Sequence, residues 1–394
     1  MNSSSISVNA IIAAVFFIIF IILNAVISLF GAVVFIINTL IAIVLFLVCF
    51  AFIKRSTSNP YNAKTKAAAS AILKKIKLSD TIFIMGHKFS DFDSIGAAAG
   101  IWSICTQAKK KNVYIVVDKH QSSAVPLIKH LEDSDLSDAF ISPEKARSIV
   151  TENSFLIIVD TNSLDFIESA ELYEMTQHVC IIDHHHLSSN KIQGTSIFFH
   201  ELSASSACEM VTELIRYIGG NTLNKTEAEG LFAGIMLDTK NFSLKSSLQT
   251  FEAALYLKRK GADNSKIKKM FAVPLSVHKI KSKIIENANI IENCAVARLS
   301  ELESNARVAC AQAADELVDI ENVRASFVIF SCDNEVNISA RSQGDVDVRI
   351  IMEQMGGGGH QTMAAAQIPE MNFEQVEEKL IKIIKKELMK SKGE

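Results

Sequence analysis

Thr81-Ile82-Phe83-Ile84-Met85-Gly86-His87-Lys88-Phe89-Ser90-Asp91-Phe92-Asp93 is the stretch from which the rest of the chain can be read. Five residues suited to a buried strand run into a glycine, then into an imidazole and two carboxylates. A short, unbroken apolar run fits a strand covered on both faces of a parallel sheet. The arrangement recurs: Phe155–Val159 runs into Asp160, and Val179–Ile182 runs into Asp183-His184-His185-His186. Val113–Val117 is another such run. Helical stretches such as Ile95–Lys109, Lys225–Met236 and Leu248–Lys260 separate or follow these strands. The alternation predicts an α/β domain with a largely parallel sheet. In open sheets of this kind a ligand site lies beyond the carboxyl ends of the strands, so the polar groups after these runs are expected to converge.

The residue types then narrow the chemistry. His87, Asp91, Asp93, Asp160 and His184, with Asp238 from Leu237-Asp238-Thr239, supply four carboxylates and two imidazoles. That set exceeds what one catalytic zinc needs. It suits two divalent ions sharing bridging carboxylates, and its bias toward hard oxygen favours Mn²⁺ or Mg²⁺. Two such ions ~3.5–4 Å apart can bind a hydroxide and clamp the attacking and leaving oxygens of a phosphoryl centre. The pattern points to metal-dependent phosphoester hydrolysis. Singly, each piece has a plainer reading: Asp91 and Asp93 as caps of the helix beside them, His185 and His186 as surface residues. It is the joint order along the chain that favours a site.

Around this centre the composition sets bounds. With 394 residues, 49% of them hydrophobic, the chain has material for two or three domains. A net charge of −3 argues against bulk DNA or RNA binding, which needs an excess of Lys and Arg. Residues 1–53 contain no Asp, Glu, Lys or Arg. Their length predicts an N-terminal two-span transmembrane helical hairpin, about Ile6–Ser28 and Gly31–Ile53, in which Asn24 and Asn38 would bond between helices. Lys54, Arg55, Lys64 and Lys66 follow, which places the catalytic domain on the cytoplasmic side of a cell membrane. The seven cysteines are scattered, with no CxxC pair, so reduced thiols are expected rather than a zinc or disulfide framework.

The expected organisation is a hairpin over 1–53, a short cytoplasmic linker over 54–79 with a helix at Lys64–Lys77, and a catalytic domain over 80–265. Gly261–Asn264 marks the boundary. Residues 266–394 hold a linking helix with a basic face, Ser276–Ile291, and a smaller α/β domain. Its strands are expected near Ala295–Leu299, Ala325–Ser331 and Val336–Ala340, followed by helix Asp345–Met355, a glycine run at 356–359 and helix Phe373–Lys390.

His-x-x-x-Asp-x-Asp, a strand-terminal Asp, Asp-His-His and a later Asp, in that order, resemble the DHH phosphoesterase superfamily. Gly356-Gly357-Gly358-Gly359-His360 resembles the signature of the DHH-associated domain, and together the likeness covers about residues 80–394. Leu237-Asp238-Thr239-Lys240-Asn241-Phe242-Ser243-Leu244 with Thr250-Phe251-Glu252-Ala253-Ala254, and Ile338-Ser339-Ala340-Arg341-Ser342 with Ile351-Met352-Glu353, are similar to one branch. That branch is the membrane-anchored cyclic-di-AMP phosphodiesterases of the GdpP type.

The resemblance implies that His87, Asp91, Asp93, Asp160, His184 and Asp238 hold two Mn²⁺ ions, with Mg²⁺ or another divalent ion as alternatives and Asp160 and Asp238 as bridges. His185 would sit near the phosphate, and Asp183 would orient an imidazole. Arg341, Gly356, Gly357, Gly358, Gly359 and His360 would bind the other end of a cyclic dinucleotide. Arginine's planar fork suits phosphate, and glycines let backbone N–H groups approach a ligand. A helix C-cap is the plainer reading of the glycines. No Gly-Lys-Ser/Thr follows them, so a P-loop is not expected. The implied reaction opens cyclic di-AMP to linear pApA through a metal-bound hydroxide, in a protein whose partners are that substrate and the lipid bilayer. Dimerisation rests on the resemblance alone.

Rival readings are a phosphodiesterase of short linear oligonucleotides such as pApA and, in another class, a non-catalytic membrane nucleotide sensor. The chain departs from the branch in places. Only residues 54–79 stand where PAS-like and degenerate GGDEF domains are usual. Phe89-Ser90 replace Asn-Pro, Asn162-Ser163 replace His-Arg, His186 replaces Arg, and Thr362-Met363-Ala364-Ala365 replace Thr-Asn-Ala-Ala.

Overall fold

The computed structural model of the protein describes residues 8–27, 31–56, 60–188, 190–219, 223–300, 306–332, 335–359, 361–369 and 371–391. The chain divides into two compact units, Met1–Met270 and Phe271–Glu394.

The first unit begins with helices α1 (Val8–Ile27), α2 (Ala32–Ser56) and α3 (Pro60–Leu78). Among the described residues no helix is long and apolar enough to cross a membrane, so the expected two-span hairpin is not supported by the structure. The described side chains of α1 and α2 are those of residues 11–26 and 36–50. These side chains are nevertheless apolar and outward-facing, with Phe17 64%, Val26 65% and Val48 59% exposed. Asn24 donates to the carbonyl of Phe20 in its own helix at 2.8 Å, rather than to the other helix as expected.

Next comes an alternation of strands and helices: β1 (Thr81–Met85), α4 (Phe92–Gln107), β2 (Val113–Val116), α5 (Val125–Glu132), β3 (Phe140–Ile141), α6 (Pro143–Ile149), β4 (Ser154–Val159), α7 (Ala170–Glu174), β5 (His178–Asp183) and β6 (Ile197–His200). Helices α8 (Ala207–Ile218), α9 (Lys225–Asp238), α10 (Leu248–Arg259) and α11 (Asn264–Met270) complete the unit. The strands form a sheet in the order β3-β2-β1-β4-β5-β6, and every pairing is parallel. Every residue of β1 and β4 is buried, which is why both read as unbroken apolar runs. The strand order reverses direction between β1 and β4. That gap is the switch point where crossovers diverge and leave a crevice.

Helices α4 and α9 pack closely because glycines face the contact. A Cβ on Gly96 would lie 2.4 Å from the carbonyl oxygen of Gly230, and one on Gly234 would lie 2.4 Å from Cys208 Sγ and 2.8 Å from Asp93 Cα. Helix α11 extends the unit beyond the boundary expected at Gly261–Asn264, because Ile267 is fully buried.

The second unit contains α12 (Leu275–Glu286), β7 (Asn289–Ile291), β8 (Cys294–Leu299), α13 (Ala306–Val318), β9 (Ala325–Cys332), β10 (Glu335–Ser342), α14 (Val348–Gln354), β11 (Gly358–Gly359), β12 (Met363–Ile368) and α15 (Phe373–Ser391). Its sheet runs β11-β12-β10-β9-β8-β7, parallel only between β8 and β9. Strand alternation sends Phe327 and Ile329 into a core with Ile351, Leu380 and Ile384, and Val328 and Phe330 into a second core with Ile284, Ala309 and Leu317.

The linking helix expected at Ser276–Ile291 is shorter than its sequence suggested. It stops at Glu286, and residues 289–291 turn into the edge strand β7. Glu292 and Asn293, at φ 49° and 61°, make a tight hairpin turn of the kind that needs two left-handed residues.

Candidate metal centre

The three strand-end motifs meet at the switch point. His87 leaves β1 and forms an isolated antiparallel bridge with Ile167, fixed on either side by Lys88 N–H to Phe166 O (2.7 Å) and Glu168 N–H to Gly86 O (3.0 Å). Asp91 caps α4: its Oδ1 accepts from the N–H groups of Asp93 (2.9 Å) and Ser94 (3.1 Å). The same oxygen is 3.8 Å from His87 Nε2. The cap reading and the ligand reading therefore describe one carboxylate.

Asp93, in the first turn of α4, is fully buried. Its two oxygens accept from the N–H groups of Ala207 (2.7 Å) and Cys208 (2.8 Å) at the start of α8. A helix N-terminus is a favourable place for a carboxylate, which is how the fold tolerates this charge. Nothing in the reading of the ligands pointed to α8. Its signal was Ser206-Ala207-Cys208-Glu209, where the Ser206 hydroxyl accepts from Glu209 N–H at 3.0 Å.

Asp160 stands at the centre. It follows β4 with φ 63°, a left-handed conformation that an aspartate adopts at a cost. Its Oδ2 is 3.4 Å from His87 Nε2, and its Oδ1 is 3.4 Å from His184 Nε2 and 3.6 Å from His185 Nδ1. His184 Nε2 also lies 3.3 Å from Asp238 Oδ2 and 3.7 Å from Asp93 Oδ2. Three sets of potential ligand atoms result, each within 4.8 Å: His87, Asp91 and Asp160; Asp160, His184 and His185; Asp93, His184 and Asp238. Asp160 joins the first set to the second, as a bridging carboxylate would. Asp238, read as a second bridge, groups with Asp93 and His184 and not with His87 and Asp91.

Asp238 ends α9, and the chain beyond it is tightly wound. Lys240, Asn241 and Phe242 are consecutive left-handed residues at φ 44°, 57° and 67°. Thr239 holds the turn, its hydroxyl accepting from Phe242 N–H (2.9 Å) and its carbonyl from Ser243 N–H (2.8 Å) and Leu244 N–H (2.9 Å).

The electrostatics are those of a cation site. Burial and the carboxylates of Asp160 and Asp238 push Asp93 well above the usual range. Burial likewise raises Asp238, with Asp160 adding to it. Burial opposes the Asp160 charge, yet His184 and His87 outweigh it and hold that carboxyl below its usual range. Burial also opposes charge on His87, but Asp160 and Asp91 raise it to about 10. Asp160 Oδ1 and both ring nitrogens of His184 are buried without a hydrogen-bond partner. Buried polar atoms are almost always satisfied, and facing atoms that both offer lone pairs, a carboxylate oxygen and an imidazole nitrogen, fit a cation held between them. The residues present fit a divalent metal.

Asp183 and His185 flank this cluster. His185 Nδ1 is 2.9 Å from Asp183 Oδ1, and Asp183 is fully buried. Lys88, next to His87, lies over the rings of Phe89 (5.4 Å) and Phe166 (5.3 Å), both about half exposed.

The expected second-unit residues have partners within their own unit. Arg341 on β10 is mostly buried and donates through Nε to Asp315 Oδ1 at 3.1 Å and through Nη1 to Ala340 O at 3.0 Å. Of the glycine run, Gly356 and Gly357 N–H close the end of α14 by bonding to Glu353 and Met352, while Gly358 and Gly359 form β11. A Cβ on Gly357 would lie 2.0 Å from Ala365 O, so close strand approach alone demands glycine there. His360 lies outside the described residues.

A parallel α/β sheet carries a cluster of Asp and His residues that could hold metal at its switch point, and the chain belongs to the DHH family. Residues 81–235 match the DHH family, N-terminal domain, and residues 292–390 match the DHHA1 domain; the chain carries both. More particularly, it is 38% identical over 333 residues to the cyclic-di-AMP phosphodiesterase GdpP of Geobacillus thermodenitrificans, covering 82% of this chain and 50% of that protein. It is 39% identical over 335 residues to GdpP of Bacillus subtilis (82% and 51%), and 34% identical over 339 residues to the cyclic-di-AMP phosphodiesterase PdeA of Listeria monocytogenes (83% and 51%). The chain spans about half the length of these curated relatives. The crystal structure of an exopolyphosphatase-related protein from Bacteroides fragilis shares the fold, with a TM-score of 0.70 at 21% identity over 81% of this chain and 96% of that one.

Proposed function

We propose that the chain is a metal-dependent phosphodiesterase that opens cyclic di-AMP to linear pApA. The observation that carries the reading is Asp160, a strained, buried carboxylate with an unpaired oxygen standing between two ligand sets. The substrate comes from the relatives, whose names specify cyclic di-AMP. His87, Asp91, Asp93, Asp160, His184 and Asp238 would hold two divalent ions, with Mn²⁺ favoured by the mixed imidazole and carboxylate set. When bound, such ions polarise the phosphoryl oxygens and activate water. Asp183 holds His185 by its Nδ1, which leaves Nε2 to meet a phosphate oxygen. Arg341 and the glycine run at 356–359 would bind the substrate's other end.

We also place the catalytic body at the cytoplasmic face of a cell membrane, attached to the lipid bilayer through residues 1–53. The uncharged sequence there and the exposed apolar side chains of α1 and α2 support this. The second reading, hydrolysis of short linear oligonucleotides, is favoured by the changed residues beside the cluster, Phe89 and Asn162 among them.

One experiment separates these. The full chain is incubated with Mn²⁺ and equal amounts of cyclic di-AMP and pApA. Preferential loss of cyclic di-AMP, abolished by Asp160→Ala, supports the proposal. Loss of pApA with cyclic di-AMP untouched selects the second reading, and binding of either without turnover overturns both.

A further inference from the structure

Asn162 sits two residues beyond Asp160 and is 3% exposed. Each polar atom of its side chain is used. Nδ2 donates to Asp183 Oδ2 and to the carbonyl of His186 (3.1 Å), and Oδ1 accepts from Ser188 N–H at 2.8 Å. Its backbone carbonyl accepts from Ile192 N–H at 2.9 Å. Asp183 therefore has one oxygen on Asn162 and the other on His185. From the opposite side, His200 Nε2 meets the His185 carbonyl at 2.6 Å. The loop carrying His184 and His185 is gripped at side chain and backbone, and the one amide on the Asp160 loop makes three of those contacts.

We propose that Asn162 is a positioning residue for the reaction, fixing the Asp183 carboxylate and, through it, the place of the His185 ring beside Asp160. The inference rests on the phosphodiesterase reading for its kinetic test, but not for its structural one. An amide suits the task because it donates to a carboxylate while accepting from a backbone N–H. Aspartate loses the donor, and alanine loses every side-chain contact. Asp183 has no other hydrogen-bond donor on its Oδ2 among the described contacts, so removing the amide frees a buried carboxylate to rotate and take His185 with it.

The test uses the full chain with Asn162→Ala and Asn162→Asp. Partners of this kind behind a metal site are worth about 10- to 100-fold in activity, and the loss should fall on kcat. KM should change much less than kcat, as for a contact that counts chiefly in the transition state. Bound Mn²⁺ per chain should stay at the wild-type value, Tm should fall by a few degrees as buried hydrogen bonds are lost, and the side-chain nitrogen resonances of His185, read on the metal-free chain because paramagnetic Mn²⁺ broadens nearby signals, should move. Unchanged kcat, or metal lost in proportion to kcat, overturns the proposal in favour of a structural role. If Asn162→Ala does not fold, Asn162→Asp decides alone: it keeps an acceptor for Ser188 and loses the donor toward Asp183, so a lowered kcat supports the proposal and a wild-type kcat overturns it. If the wild-type chain opens no dinucleotide, the proposed function fails. The His185 resonances then still judge this inference, and their failure to move in either variant rejects it.

Discussion

The two units treat their polar groups in opposite ways. At the switch point of the first, Asp160 Oδ1 and His184 Nε2 are buried 3.4 Å apart with no hydrogen bond. In the second, Arg341 is already engaged by Asp315, and the glycines beside it close a helix and start a strand. The first arrangement is costly unless a cation completes it, because an unpaired buried group forfeits its hydration. The second is stable as it stands, and a ligand must compete with a partner in place. One unit is built incomplete; the other must be opened.

The sharpest way to break this contrast is Asp160→Ala. A metal's stabilisation of phosphoryl charge is worth several kcal/mol, so turnover should fall by more than about 1000-fold. Metal analysis of the purified variant should show lost occupancy. Retention of both ions and of activity would remove Asp160 from the centre.

Gly234→Ala tests whether the close α4–α9 contact places the ligands. The new Cβ meets Cys208 Sγ and Asp93 Cα at 2.4 and 2.8 Å. Overpacking of this kind costs about 1–3 kcal/mol. Thermal unfolding should show a lower Tm, and Mn²⁺ titration a weaker site. An unchanged Tm would mean the two helices can part freely.

Protons should compete with the metal. Without it, neighbouring carboxylates raise His87 to about 10 and His184 well above its usual value, so at neutral pH these imidazoles carry protons that metal must displace. Affinity should therefore rise as pH rises and fall as pH falls, with protons released on binding. Calorimetry in two buffers of different ionisation enthalpy counts those protons. A pH-independent affinity with no release would contradict the picture.

The smallest effect is expected at Asp315→Asn, which loosens Arg341. The pair is partly exposed at Asp315, so its loss should change stability by no more than about 1 kcal/mol. If Arg341 serves the substrate phosphate, KM should fall; a KM that rises or stays put assigns the pair to structure.

The sequence disclosed some of this and hid the rest for physical reasons. Strands β1, β4 and β5 were legible because burial leaves nearly unbroken apolar runs, and each is followed within two residues by a candidate ligand, His87, Asp160 or His184. Helix α8 carries a clear apolar stripe, Met210, Val211, Leu214 and Ile215, but its part in the site was hidden, since Ala207 and Cys208 meet Asp93 from 114 and 115 residues away. Edge strand β7 was absorbed into the preceding helix because Asn289–Ile291 continues its pattern of mixed polarity. The six candidate ligands were legible as residue types in an order. That Asp160 alone joins the His87 and His184 sets was not, because register across β1, β4 and β5 decides it. The role of Asn162 was hidden for the same reason: all of its partners lie twenty or more residues away.

The parallel topology has a further consequence, for biosynthesis. The candidate ligands come from four separate stretches, the first at His87 and the last at Asp238. A nascent chain that has left the ribosome only as far as α8 holds five of the six and cannot complete the set. Pairings this distant form slowly. Capture of a full set of ions would therefore wait until the long crossovers have closed, late in the maturation of the first unit.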